Sequence, residues 1–110
     1  MTQATANVEI RWLTQKEGGR TQPFVGAQYA ATARFVGEDN YFSIVVRFPT
    51  QQQANPPEGK LRLLNPDLHE IQTRIIPGCR LEIAEGSRTV AHCRVVSLEK
   101  EAPATLNVGK

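Results

Sequence analysis

The sequence has little of what most functional classes require. Its 110 residues hold one methionine, one tryptophan, two histidines and two cysteines, and only 6% of them are aromatic. Two cysteines, Cys79 and Cys93, are too few for the disulfide framework of a small secreted domain, so both are expected to be reduced thiols, buried as small apolar residues. No run approaches the ~20 apolar residues that a membrane-spanning helix needs. Met1 to Asn7 carries neither a basic patch nor an apolar stretch, so no signal peptide is visible. Together these absences predict a cytoplasmic protein. Charge of one sign is lacking too: thirteen basic against eleven acidic residues leave a net +2, without the basic excess usual in nucleic-acid binders. No segment shows apolar residues at helical spacing, which argues against a helical fold.

Recognisable chemistry is also missing. Gly59-Lys60 is no phosphate-binding loop, because Ala54 stands where the leading glycine belongs and Leu61 where a Ser or Thr belongs. No nucleotide is expected to bind. Gly86-Ser87-Arg88 lacks the Gly-x-Ser-x-Gly frame of a nucleophile elbow and reads as a turn. Cys79, His92 and Cys93 fit no zinc-ligand spacing, and neighbours such as His92 and Cys93 point to opposite faces of a strand. His69-Glu70 sits beside a proline-bounded loop and reads as surface. No acid, base and nucleophile set converges, so neither an enzyme nor a metal or cofactor site is expected.

What is present is a succession of short alternating segments. Seven prolines and eight glycines punctuate them, the pattern of many strands joined by turns. Val8, Ile10 and Trp12 alternate with Glu9 and Arg11. Tyr29, Ala31, Ala33 and Phe35 alternate with Thr32 and Arg34. Gly37 to Asn40 turns the chain into the clearest strand, where Phe42, Ile44, Val46 and Phe48 alternate with Ser43 and Arg47. Residues 49–60 read as a long polar loop without core-forming side chains, of a kind that is usually functional or mobile. Leu61 to Leu64 is a short strand stopped by Asn65-Pro66, and His69 to Ile76 is either strand or extended loop. Cys79, Leu81 and Ile83 then open a hairpin that turns at Glu85 to Ser87 and returns over Arg88 to Leu98. Six antiparallel strands closed into a barrel would leave no exposed edge. The prediction is one all-β domain over residues 7–100, with residues 1–6 and 101–110 as disordered tails. Its core is expected to gather Trp12, Phe42, Ile44, Phe48, Leu81 and Ile83.

Two stretches carry a family likeness. Trp12 to Phe24 (WLTQKEGGRTQPF) and Pro77 to Val96 (PGCRLEIAEGSRTVAHCRVV) resemble the opening strand and loop, and the closing hairpin, of the third domain of elongation factor Tu. They stand in the same order and near the same ends of the domain. The resemblance implies a six-stranded antiparallel barrel, here as a stand-alone copy without the GTPase. In that family the domain helps hold the T-stem of aminoacyl-tRNA and contacts a nucleotide-exchange protein. Arg20 matches the arginine that touches tRNA backbone, and Gly86 and Arg88 lie in the matched turn. Thr21 stands in place of the family's histidine, Ala84 in place of an arginine that contacts tRNA, and no basic residue lies near Ile71 to match a lysine. The likeness therefore implies fewer phosphate contacts than the family makes.

Candidate binding residues follow from both readings. Nine of the thirteen basic residues are arginine, whose planar fork pairs phosphates or carboxylates at two points. Gly18-Gly19 allows a backbone that holds Arg20 outward at a fixed place, unless the motif is only a glycine turn ending in a solvated arginine. With Ala91, Cys93 and Val95 inward, Arg80, His92 and Arg94 share the outer face with Glu82 between them, as a small Arg/His patch or as an ordinary mixed surface. The expected function is a non-enzymatic binding module for RNA or a translation-related protein. The alternative is a regulatory or immunity-type protein that binds another protein and no RNA.

Overall fold

The computed structural model describes residues 4–49 and 54–100. The predicted tails at residues 1–3 and 101–110 lie outside them. Six strands form one closed antiparallel barrel: β1 (Ala4–Trp12), β2 (Gln28–Phe35), β3 (Phe42–Arg47), β4 (Glu58–Leu63), β5 (Arg80–Glu85) and β6 (Arg88–Lys100). Their order around the wall is β1-β4-β3-β2-β5-β6, and β6 returns to pair with β1. Among the described residues no helix is long and apolar enough to cross a membrane.

Alternation builds the core. Ala6, Val8 and Ile10 of β1, Phe42, Ile44 and Val46 of β3, and Leu81 and Ile83 of β5 turn inward with less than a tenth of their surface exposed. Trp12 is partly buried and packs on this cluster. No charged, amide, hydroxyl-aliphatic or histidine side chain is buried among the described residues; the Tyr29 ring and the Cys93 thiol are the titratable side chains that reach the core. Register shifts at Asn7/Val8 and at Ile83/Ala84 mark irregularities of the bulge type that bend a wall toward closure.

Three expectations need correction. β1 starts at Ala4, so residues 4–6 belong to the barrel rather than to a tail; Ala6 pairs Leu61 on one side and Leu98 on the other. The loop predicted over 49–60 ends sooner, because β4 already begins at Glu58. Gly59 takes the inward position opposite Val8, where an added Cβ would lie 2.7 Å from Val46 Cγ1 and 3.0 Å from Phe48 Cδ1. The inward alternation of β4 is therefore Gly59, Leu61, Leu63, and its first member has no side chain to reveal it. Pro56 in the same loop is fully buried, so the segment does contribute to packing. Finally, His69–Ile76 contains neither strand nor extended loop but a one-turn helix, α1 (His69–Gln72). Leu68, Ile71 and Ile75 stand at helical spacing and all pack onto the core, closing one mouth of the barrel.

Candidate functional site

The opposite mouth is closed by the long connection from β1 to β2. It begins with a 3-10 turn over Gln15–Glu17, fastened by a reciprocal cap. The Glu17 amide donates to Thr14 Oγ1 at 3.2 Å, and the Thr14 amide donates to Glu17 Oε1 at 2.9 Å. That backbone hydrogen bond, followed by the nearby Arg11, holds the Glu17 carboxyl below the usual range. Gly18 ends the turn in the left-handed region at φ 92°, and its amide donates to Gln15 O. Gly19 is required for a different reason: a Cβ there would fall 2.3 Å from Leu13 O. The chain thus doubles back tightly upon itself before Arg20.

Arg20 does not project into solvent as the sequence led us to expect. Its Nη1 forms an ion pair with Glu85, its Nε donates to Gln22 O at 3.0 Å, and its guanidinium lies 5.8 Å from the Phe24 ring centroid. Only 27% of the side chain is exposed. Glu85 closes β5, and its carboxylate also accepts from the Tyr29 hydroxyl. Burial first, then this hydrogen bond to a carboxylate, raises the Tyr29 pKa well above the ordinary tyrosine range. Next in the chain is the two-residue turn Gly86-Ser87. Gly86 supplies φ 61° at its first position, as a type II′ hairpin turn demands. Arg88 reaches back from β6, its Nη1 3.4 Å from Gly19 O. Gly18, Gly19, Arg20, Gly86 and Arg88 therefore gather at one end of the barrel, but as a braced lid and not as a display of cations.

Beneath that lid lies an aromatic floor. Trp12 stacks on Phe24 at 5.8 Å and 8°, and Phe24 also meets Tyr29 and Phe48 at centroid distances of 4.8 and 5.5 Å. Trp12 Nε1 donates to Pro56 O at 2.8 Å, and Asn55 brackets Phe24, taking its amide on Oδ1 and giving its own amide to the Phe24 carbonyl. Glu85, Tyr29, Phe24 and Asn55 were absent from the sequence-based site. The left-handed Asn55, at φ 49° within an Asn-Pro-Pro run, is the kind of local signal that marks such a bracket.

Arg80, His92 and Arg94 share the outer face, as predicted, but elsewhere. Arg80 lies five residues before Glu85, so at ~3.3 Å per residue it is roughly 17 Å from the turn. In the register Arg80 faces Arg94, and Glu82 faces His92. Acids are interleaved: Arg94 pairs with Glu9 of β1 at 2.7 Å, and Glu82 is taken by Arg34 of β2 at 2.7 Å. The eight predicted residues thus form two groups and not one site.

Burial pushes the Cys93 thiol up to about 12 and raises Cys79 as well, so neither is present as thiolate near neutrality. The two are unbridged; Cys93 is buried as expected, whereas Cys79 is only half-buried because it sits at the turn before β5. Among the described residues no three His, Cys, Asp or Glu side chains gather where they would hold a metal ion. No protein-family model matches the chain, and no curated protein is similar to it in sequence.

Proposed function

We propose that this chain is a non-enzymatic binding module of the cytoplasm, built on a barrel resembling the third domain of elongation factor Tu, and that its partner is a protein. The likeness is supported by the meeting of its two stretches, Trp12–Phe24 and Pro77–Val96, at one barrel end through Arg20 with Glu85 and Arg88 with Gly19 O. The observation that carries the choice of partner is the engagement of Arg20. It is the one cation matched to a family tRNA contact, and its guanidinium is already held by the Glu85 carboxylate. A phosphate approaching Arg20 meets a cation already neutralised by an adjacent carboxylate, which removes most of the electrostatic gain that dominates nucleic-acid affinity. A protein partner needs no such excess, because a few apolar and arginine anchors carry most of a protein interface.

Fluorescence-anisotropy titration of a labelled tRNA at several salt concentrations, on wild type and Arg20→Ala, tests the choice. The expected result is at most weak binding at low salt, the same for both proteins. Tight binding with a steep salt slope that falls by about one unit in Arg20→Ala would instead establish RNA as the partner.

A further inference from the structure

The mouth of the barrel closed by α1 carries two tight turns that lie side by side. In Phe35–Glu38 the Glu38 amide donates to Phe35 O at 3.0 Å, and Gly37 takes φ 88°. In Ile76–Cys79 the Cys79 amide donates to Ile76 O at 3.0 Å, with Pro77 second and Gly78 third at φ 91°. Positive φ at the third position alone, filled by glycine, is the signature of a type II turn. Each turn fixes an aliphatic side chain in water: Val36 is 51% and Ile76 53% exposed. Both line one open concavity, together with Arg74 and Arg80.

The two arginines differ. Arg74 sits over the Phe35 ring, its guanidinium carbon 3.9 Å from the centroid, and its fork is occupied by the Glu38 carboxylate. Arg80 has no ion-pair partner among the described residues. Its cross-strand neighbour is Arg94, already engaged by Glu9. Like charges directly opposite on adjacent strands destabilise a sheet, and here an acid compensates only one of the pair. The backbone around the patch is tied by hydrogen bonds: the Val36 amide donates to Arg80 O, the Gly78 amide to Val95 O at 2.8 Å, and the Val95 amide to Cys79 O at 2.9 Å.

We propose that this concavity is the docking site for an acidic protein segment that presents an aliphatic side chain beside an aspartate or glutamate. The aliphatic group seats between Val36 and Ile76, and the carboxylate takes the two-point fork of Arg80. Because both knobs and the rim are held by turns and backbone hydrogen bonds, little ordering is needed on binding. The inference deepens the protein-partner reading and rests on it.

The probe is a short end-blocked peptide of alternating aspartate and leucine, followed by amide chemical shifts of the full chain. Control peptides alternate lysine with leucine and aspartate with serine. The acidic aliphatic peptide is expected to shift the amides of Val36, Gly37, Ile76, Gly78 and Arg80, and both controls to bind at least tenfold more weakly. Arg80→Glu and, separately, Val36→Ser should each weaken binding about tenfold with unchanged spectra elsewhere. Equal binding by Arg80→Glu, equal binding of the lysine peptide, or shifts that follow protein concentration and not peptide would overturn the site. Shifts confined to another face would overturn it too, yet leave the protein-partner reading standing. Tight, salt-dependent tRNA binding is what removes that reading itself.

Discussion

Arg20 and Glu85, 65 residues apart in the chain, form an ion pair that ties the Gly18-Gly19 loop to the turn between β5 and β6. The carboxylate is shared with the Tyr29 hydroxyl, so one acid at a strand end holds a loop, a neighbouring strand and a hairpin together. With 27% and 36% of the two side chains exposed, water screens the pair. A double-mutant cycle on Arg20→Ala and Glu85→Ala should therefore give a coupling of only about 0.5–1 kcal/mol in urea unfolding. Zero coupling would show that the pair contributes nothing to stability.

The adjacent glycines of that loop should respond differently. Gly18→Ala meets open space but forces a side chain into φ 92°, which costs about 1 kcal/mol. Gly19→Ala places a methyl 2.3 Å from Leu13 O, so the loop must move, at a cost above ~2 kcal/mol. Denaturant midpoints of the two variants check the order; the reverse order would mean that the loop does not double back at Gly19.

Phe42 is 6% exposed and packs against Phe35 at a centroid distance of 5.4 Å. Phe42→Ala should lose about 3–5 kcal/mol, the usual effect of an aromatic cavity. A loss below about 1 kcal/mol would place β3 in the other register, with its inner and outer faces exchanged.

Stability should fall in alkali. The Cys93 thiol, with an ordinary value of 9.0, is raised to about 12 by burial, and the Tyr29 hydroxyl is raised above 10.0. The unfolded chain then releases these protons at a pH where the native one still holds them. The stabilisation is complete below pH ~9 and is lost as pH rises toward the native values, by up to ~1.4 kcal/mol per pH unit per group. Cys93→Ala should flatten the fall that begins near pH 9, and Tyr29→Phe the part that begins near pH 10. Urea unfolding across pH 8 to 11 reads both slopes; slopes unchanged by either variant would show that neither group is buried.

Much of the barrel was legible because side chains in a strand alternate. Phe42, Ile44, Val46 and Phe48 could all turn inward only on one face, and the same held for Leu81 with Ile83. β4 was read short because Gly59, its first inward residue, carries no apolar side chain to complete the pattern. α1 went unseen because a single turn offers only Leu68, Ile71 and Ile75 as its signal, spread over a proline-bounded segment. At the candidate site, Gly18-Gly19 and Gly86 announced two turns, and nothing local announced that the turns touch.

The residue order by itself thus determined six alternating strands, their turns and an apolar interior, since each follows from neighbours within a few positions. Only the closed barrel decided what those turns do. The order β1-β4-β3-β2-β5-β6 brings the first connection against the last hairpin, so the Arg20 guanidinium meets Glu85 before it meets water. The hairpin register sets Arg80 opposite Arg94, and closure through β1 gives Glu9 to only one of them. A charge paired across 65 residues has no local periodicity or spacing to betray it, and whether an arginine is spent or available is a property of the folded wall.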